Sequence, residues 1–231
     1  MRDFLSRLGR EREDFPKKED IPSPCPYCGE LLPKKPTRKR KCPYCKKVIY
    51  VRTDPETREK VVTTEKGAQK IHARKKRIAY RNRWLRSLAS YGIGEQDFVA
   101  EKARLGKQFG KEPPDADIIW GLFNSLVERQ PSTSPYYEMA LFLEEEKRDF
   151  IPILQQSRKL DLLPWKEAGM EKVKIHAADQ ACPSCKSLQG QVFTIDAALK
   201  EMPIPNRECT THWHHPTQGF CRCVYLASFD D

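Results

Sequence analysis

The sequence predicts an α+β protein, in which a small β unit, an α-helical middle and a small C-terminal α+β unit follow one another along 231 residues. Three observations predict this order. Two Cys-x-x-Cys turns precede the alternating stretch "KVIYVRT", apolar residues then recur at helical spacing over residues 64–169, and short strand-like stretches return after Gly169. The fold class therefore follows from segments that differ in the period of their apolar residues.

Composition and cysteine content indicate the compartment. The chain is 39% apolar, which can fill a core, and no stretch approaches the roughly eighteen uninterrupted apolar residues of a membrane span. The charged start "MRDFLSRLGREREDFPKKED" lacks the apolar segment of a signal peptide, so we expect a cytoplasmic protein. In a reducing compartment its 9 cysteines are expected as thiolates on metal, with zinc as the expected ion.

Charge is distributed unevenly along the chain. Residues 1–90 carry 26 Lys and Arg against 11 Asp and Glu, whereas residues 91–231 carry 16 against 21. The N-terminal part is strongly basic and the C-terminal part is weakly acidic. This asymmetry indicates a polyanionic partner for the N-terminal half and a different task for the C-terminal half.

Four cysteines form the most specific motif: the pairs Cys25/Cys28 and Cys42/Cys45 are separated by thirteen residues. Each Cys-x-x-Cys bends the chain so that both sulfurs face one ion, and two such turns complete a closed shell of four thiolates. A closed shell leaves no position for water or substrate, so the predicted zinc stabilises the fold and does not catalyse. The segment, roughly residues 22–53, resembles a zinc ribbon, a fold common among transcription and nucleic-acid proteins. The resemblance implies nucleic-acid contact, protein contact or bracing of a neighbouring element.

The middle of the chain is predicted to form four or five helices. The first is capped by Thr63 or Thr64 and ends at "SYGIG", with Ala68, Ile71, Ile78, Leu85 and Leu88 near one side. Further helices are predicted over about 95–108, after Asp115 or Asp117 as cap, after Ser134 with Pro135 in the first helical position, and from Asp149 and Pro152 to "WKEAG". The expected divisions are an N-terminal arm (1–22), the zinc ribbon (23–62), the helical middle (63–169) and a C-terminal α+β zinc-binding unit (170–231).

Two basic segments are the candidate nucleic-acid contacts. The loop "KKPTRKRK" between the two Cys-x-x-Cys turns concentrates charge that can meet phosphates, through Lys34, Lys35, Arg38, Lys39, Arg40 and Lys41. The first helix repeats basic residues on one face, at Lys70, Arg74, Arg77 and Arg81, and has no acid between Lys66 and Gly94. Tyr80 and Trp84 are stacking candidates, although Trp84 can equally pack inward.

The C-terminal unit is predicted to contain the strands "KVKIHA", "QVFTI" and "CRCVYLA", with a short helix capped by Asp196. It also holds a second group of metal ligands. The preferred shell is Cys182, Cys185, Cys209 and Cys221, with Cys223 and His212 as alternates. Because one residue separates Cys221 and Cys223 at the start of a predicted strand, we expect their side chains to point to opposite faces, so that only one reaches the ion. The neighbouring histidines His214 and His215 cannot both face one ion easily.

The C-terminal residues also resemble a known family. "AADQACPSCKSLQGQVF", followed by prolines, a histidine-containing stretch and "CRC", is similar to the C-terminal motif of phage Mu gpF-like minor head (head-morphogenesis) proteins, over residues 179–226. The chain also looks like bacterial and prophage proteins that join such a tail to an N-terminal zinc ribbon. The resemblance implies a phage or prophage origin, a metal-stabilised tail, and roles for Cys182, Cys185, Gly190, one of His212, His214 and His215, and Cys221-Arg222-Cys223. The extra histidines, Cys209 and the N-terminal ribbon depart from the minor head pattern.

Enzyme motifs fit the sequence poorly. An HNH nuclease needs a helix after its second strand that returns Asn or His to the metal, but eight residues follow Cys223 and Asn206 precedes the histidines. A zinc deaminase needs Glu two residues after its histidine, and "KIHAAD" has none. Phosphate-binding loops and nucleophile elbows are absent from the sequence. We therefore expect a non-enzyme.

These patterns predict a two-zinc protein of phage or prophage type that binds nucleic acid through its basic N-terminal half, without a membrane or a small-molecule substrate. The alternative is a phage head-morphogenesis, minor head or assembly factor, virion-associated and in contact with a phage structural protein. An HNH-like nuclease ranks below both.

Overall fold

The structure, a computed structural model, describes residues 22–210 and 220–229. Helices and small antiparallel sheets make the fold mixed α+β, as the sequence predicts. The chain divides into two compact units, and the boundary falls between Asn82 and Arg83, inside the first helix. The expected division into a ribbon, a helical middle and a C-terminal unit stays a prediction.

The first unit contains two small sheets and most of a long helix. Its strands are β1 (Ser23–Pro24), β2 (Leu31–Leu32), β3 (Arg40–Lys41), β4 (Val48–Thr53) and β5 (Lys60–Thr63), and helix α1 spans Glu65–Ala89. β1 pairs with β2, and β3, β4 and β5 form a second antiparallel sheet in that order. The predicted strand "KVIYVRT" is β4, while the shorter strands were not predicted.

The start of α1 is closed by one capping hydrogen bond and joined to the β unit by two others. Thr64 caps the helix, as predicted, because its hydroxyl accepts the Gly67 N–H at 3.1 Å. The N–H of Glu65 donates to the hydroxyl of Tyr27 at 3.0 Å, and the hydroxyl of Tyr50 donates to the Glu65 carboxylate at 3.1 Å. Glu65 thus connects the helix to two separate parts of the β unit.

Four further helices build the second unit around an aromatic core. They are α2 (Glu95–Phe109), α3 (Asp115–Arg129), α4 (Thr133–Glu145) and α5 (Ile151–Glu167), close to the predicted positions. Trp84, from the end of α1, is 5% exposed and contacts Phe123 and Phe142 edge to face. Its indole N–H donates to Glu145 at 3.1 Å. Trp84 therefore packs inward and is not a stacking platform for a ligand.

Helices α2 and α3 approach closely at a glycine. A Cβ atom built on Gly121 would collide with the carboxylate of the buried Glu101. That carboxylate receives two hydrogen bonds of 2.7 Å from Arg104, which compensate for its burial. The absence of a side chain at Gly121 lets Glu101 lie against α3.

The C-terminal part of the second unit is a three-stranded antiparallel sheet with two short helices. The elements are β6 (Lys172–His176), α6 (Pro183–Lys186), β7 (Val192–Thr194), α7 (Ile195–Glu201) and β8 (Val224–Ser228), and the strand order is β7-β6-β8. Val173 and Ile175 of β6 are buried together with Tyr225 of β8 and the second group of cysteines. The predicted strands are all present, but β8 begins only after Cys223.

Three helix starts differ from prediction. α3 begins at Asp115 after an extended Pro114, so neither Asp115 nor Asp117 caps it. α4 begins at Thr133, ahead of the predicted cap Ser134, because a proline is tolerated anywhere in the first turn, where N–H groups have no helical partner. α7 is capped by Thr194, whose hydroxyl accepts the Ala197 N–H at 3.1 Å, and not by Asp196.

Among residues 22–210 and 220–229, we find no helix with the length and apolar content required to cross a membrane.

Candidate metal centres and basic surface

The four N-terminal cysteines converge on one point. The sulfurs of Cys25, Cys28, Cys42 and Cys45 all lie within 4.8 Å of one another, with Cys25 to Cys45 and Cys28 to Cys42 both at 3.9 Å. A tetrahedral ion with metal–sulfur bonds of about 2.3 Å separates its ligands by about 3.8 Å. The predicted ligand group is therefore assembled with the spacing that a metal ion requires.

The two halves of this centre repeat one backbone arrangement, which we call the first knuckle (residues 24–31) and the second knuckle (residues 41–48). In each, the first cysteine donates its N–H across the turn at 2.9 Å, from Cys25 to Glu30 and from Cys42 to Lys47. The strand pairs also correspond, since Pro24 faces Leu31 and Lys41 faces Val48. The same fold thus presents two sulfurs from each side.

The turns bring backbone amides toward the sulfurs. Burial acts to raise the pKa of the Cys42 thiol, but hydrogen bonds from the amides of Cys45 and Tyr44 outweigh it and lower the pKa to about 7. A lowered pKa favours the thiolate, which is the form that binds a metal. The first cysteine of each knuckle, Cys25 or Cys42, is buried, whereas Cys28 is exposed.

The second centre gathers five cysteines. Its sulfurs form two overlapping groups within 4.8 Å: Cys182, Cys185 and Cys209 in one, and Cys185, Cys221 and Cys223 in the other. All nine cysteines, each within the described residues, are free thiols and belong to one of the two centres. The structure therefore brings together the preferred shell and its alternate Cys223, while the choice of four ligands stays a prediction.

The expectation that Cys221 and Cys223 point to opposite faces is wrong, while the expectation that only one of them binds the ion stays a prediction. Both sulfurs lie near that of Cys185, and Cys221 approaches it to 3.7 Å. The reason is that β8 begins at Val224, so Cys221 and Cys223 precede the strand and are not subject to its alternation.

Local turns position the remaining sulfurs. Cys182 stands immediately before α6, and its carbonyl accepts the N–H groups of Cys185 and Lys186 at 3.1 and 2.9 Å. Hydrogen bonds from the thiols of Cys185 and Cys221 lower the pKa of Cys223 to about 3, so this sulfur is readily available as a thiolate. A cavity of about 460 Å³ borders Cys221 and Cys223, and Cys221 is the least buried of the five.

The histidine candidates cannot be placed in this centre. His212, His214 and His215 lie outside the described residues, so the proposals for His212 as a ligand and for a role of the other two stay predictions.

The basic loop lies between the two knuckles. Arg40 and Lys41 form β3, opposite Ile49 and Val48 of β4, and Lys39 places its ammonium group 4.8 Å from the centre of the Tyr50 ring. The other loop candidates, Lys34, Lys35 and Arg38, precede β3. Lys35 is half-exposed, and all the other basic residues of the loop are exposed.

The helix candidates occupy different environments. Lys70 and Arg77 are exposed, while Arg74 and Arg81 are partly buried. Arg74 donates to Asp54 at 3.2 Å and to Glu56 at 3.5 Å in the turn after β4. Asp54 lies five residues beyond Ile49, the partner of Arg40 in β4, which is about 17 Å along an extended strand. The loop charges and Arg74 therefore lie at opposite ends of β4.

Sequence reasoning missed a group of residues on the second knuckle. Tyr44 is 53% exposed, and Lys46 and Lys47 beside it are also exposed. The signal was available in an alignment of "PCPYCGEL" with "KCPYCKKV", in which the turn residues change from Gly-Glu to Lys-Lys.

No protein-family model matches this chain, and no curated protein or solved structure matches it either. The resemblances to zinc ribbons and to phage minor head proteins thus stay predictions from the motifs.

Proposed function

We propose that this protein is a non-enzymatic, two-zinc nucleic-acid-binding protein of phage or prophage type. Zinc is favoured because both centres consist of thiolates, and Zn²⁺ commonly takes four such ligands in sites that stabilise a fold. The N-terminal centre uses two Cys-x-x-Cys turns and has no surplus sulfur, which supports a structural ion. In the C-terminal centre, four of the five cysteines would hold the second ion.

The observation that carries nucleic-acid binding is the charge around the N-terminal centre. Residues 22–82 contain 18 Lys and Arg against 5 Asp and Glu, and the loop that joins the knuckles displays most of its basic residues to solvent. Such a density of exposed cations supports binding to a phosphate backbone, from which it releases counterions. The candidate contacts are Lys34, Lys35, Arg38, Lys39, Arg40 and Lys41, together with Lys70, Arg77 and Arg81; Arg74 is partly committed to Asp54 and Glu56.

Salt dependence tests this proposal. The zinc-loaded protein should bind nucleic acid with an affinity whose logarithm falls linearly with the logarithm of salt concentration, by about 0.7 to 0.9 per phosphate contact. The variant K39A/R40A/K41A should reduce this slope by about 2 to 3. The matched control K186A/K200A, which removes two exposed lysines from the second unit, should leave the slope unchanged. Absence of binding at low salt would reject the proposal.

The second candidate is an assembly factor of the phage head, which the similarity of residues 179–226 to minor head proteins favours. An assembly factor should co-purify with capsid components in an infected or induced host and should bind nucleic acid weakly when isolated. Comparison of the two measurements separates the candidates.

A further inference from the structure

The two knuckles share one backbone but differ in what their tyrosines do. Tyr27 of the first knuckle is half-buried, and its hydroxyl accepts the N–H of Glu65 at 3.0 Å. Tyr44 stands at the same position of the second knuckle and is 53% exposed. The first tyrosine therefore contributes to the fold of the unit, whereas the second presents its ring to solvent.

The second knuckle also carries more positive charge than the first at corresponding positions. The first knuckle has Pro24, Gly29 and Glu30 where the second has Lys41, Lys46 and Lys47, respectively. All three lysines are exposed, and they lie before and after Tyr44 within one short hairpin. The second knuckle is thus a small surface with one accessible aromatic ring and three exposed lysines. The Lys46 ammonium donates to the Pro43 carbonyl at 2.7 Å, and the Lys47 ammonium lies 5.4 Å from the centre of the Tyr27 ring.

The backbone at Lys46 is unfavourable for a residue that carries a side chain. Lys46 has a φ of 64°, in the left-handed region that costs most residues about 1–2 kcal/mol, and Gly29 holds the equivalent position of the first knuckle with a φ of 80°. Glycine would meet the needs of this turn at lower cost. The Lys46 side chain is exposed at this turn, so its ammonium group is accessible to a ligand as well as to the Pro43 carbonyl.

We propose that the second knuckle binds an unpaired strand of nucleic acid, with Tyr44 stacked on a base and Lys41, Lys46 and Lys47 against phosphates. Every unpaired base offers an open π-face to an aromatic ring, whereas the bases inside a duplex are stacked on each other. Farther along the chain, on β4, the cations of Lys39 and Arg52 lie 4.8 and 5.5 Å from the centre of the half-buried Tyr50 ring. This inference rests on the proposed nucleic-acid binding and specifies the form of the partner.

The test compares strand forms with the full-length, zinc-loaded protein. Fluorescence anisotropy with a labelled single-stranded DNA, an RNA of the same sequence and the corresponding DNA duplex should show preference for the unpaired strands. DNA and RNA arms reveal whether the 2′-hydroxyl contributes. Tyr44→Leu, which removes the ring, should weaken single-strand binding about 5- to 150-fold, the range given by about 1–3 kcal/mol per stacked base, while Tyr44→Phe should retain it.

Matched controls separate stacking from general effects. Phe229→Ala removes an aromatic ring that is 85% exposed in the second unit and should leave binding unchanged. K46Q/K47Q should reduce the salt slope by about 1.4, corresponding to two single-strand phosphates. Zinc content, measured for each variant, verifies that the knuckle is intact.

Two results would overturn the inference and leave the proposed function standing: a preference for the duplex, or equal single-strand affinity of Tyr44→Leu and the parent protein. The lysines would then serve only to offset the negative charge of the four thiolates. Failure to bind any of the three nucleic acids at low salt would overturn both proposals.

Discussion

At the scale of single residues, Lys46 and Gly29 form a natural pair for measuring the cost of a left-handed backbone. Lys46→Gly should raise the stability of the zinc-loaded protein by about 0.5–1 kcal/mol, because the turn no longer strains a Cβ atom. The gain is reduced by loss of the 2.7 Å hydrogen bond from the Lys46 ammonium to the Pro43 carbonyl. Denaturant unfolding measures the change.

Gly29→Ala provides the reverse experiment and should destabilise by about 1–2 kcal/mol. No atom lies within 4 Å of a Cβ built at Gly29, so the loss reports backbone conformation alone. If Lys46→Gly and Gly29→Ala have the same free energy of unfolding, the backbone conformation of these turns does not control the stability of the unit.

Gly121 supports a second residue-scale prediction. Gly121→Ala should destabilise the protein by about 1–3 kcal/mol, because the new methyl group displaces the buried Glu101 carboxylate. The control is Gly106→Ala in α2, where the nearest atoms to an added Cβ are at 3.8 and 3.9 Å. That change should be neutral or stabilising, since alanine favours a helix by about 1 kcal/mol over glycine. Thermal unfolding of both variants would decide, and a neutral Gly121→Ala would contradict the close packing.

At the scale of elements, the turn between β4 and β5 depends on one carboxylate. Asp54 accepts the N–H groups of Glu56 and Thr57 at 2.9 and 3.2 Å, and these bonds, with the nearby Arg74 guanidinium, hold its pKa below the usual range.

Asp54→Ala should destabilise the first unit by about 1 kcal/mol, as loss of a helix cap does, whereas Asp54→Asn keeps an acceptor oxygen and should lose less. Denaturant unfolding at neutral pH measures the free energy of unfolding of the parent protein and of the two variants. Equal losses for Asp54→Asn and Asp54→Ala would contradict this expectation and would mean that the ion pair with Arg74 dominates.

The elements also mark where sequence reasoning succeeds. Helix α1 was predictable from its apolar spacing, the cap Thr64 and the glycines after Ala89, all of which are local signals. The start of β8 was not, because the cysteines of "CRC" turn toward Cys185, which lies 36 residues away in sequence from Cys221. The cap of α7 was missed because Thr194 and Asp196 both have suitable side chains, and the end of β7 selects between them.

At the scale of the whole molecule, the two centres lie in different compact units, so their ions should be lost independently. C25S/C42S should lose one metal equivalent, and C182S/C185S should lose the other. Native mass spectrometry of the purified variants counts the ions. Loss of both ions from either variant would contradict independent centres.

The surplus sulfur of the second centre leads to a distinct prediction. Because Cys221 and Cys223 both lie near Cys185, replacing either one by Ser still leaves four cysteines, and the ion should be retained. The double variant C221S/C223S should lose it. Loss of the ion from only one of the two single variants would identify that residue as an obligatory ligand.

The candidate sites were predictable to the extent that they depend on spacing. The pairs of Cys-x-x-Cys identify which residues assemble, because each pair is a single local turn. Exposure could not be read in the same way, because Tyr27 and Tyr44 occupy identical local sequences, "CPYC". Contacts with Glu65 and Lys47, which are remote from Tyr27 in sequence, distinguish the half-buried ring from the accessible one.

The hydrogen bond from Glu65 to Tyr27 has a consequence for amide exchange. Tyr27 lies between two ligand cysteines, so removal of the ion by a chelator should release its hydroxyl from the first turn of α1. The amides of residues 65–68 should then exchange with deuterium faster, whereas those near Leu88, which is fully buried in the second unit, should keep their protection. Metal occupancy of the first centre would thus change the rate of amide exchange at a helix end that contains none of the ligands.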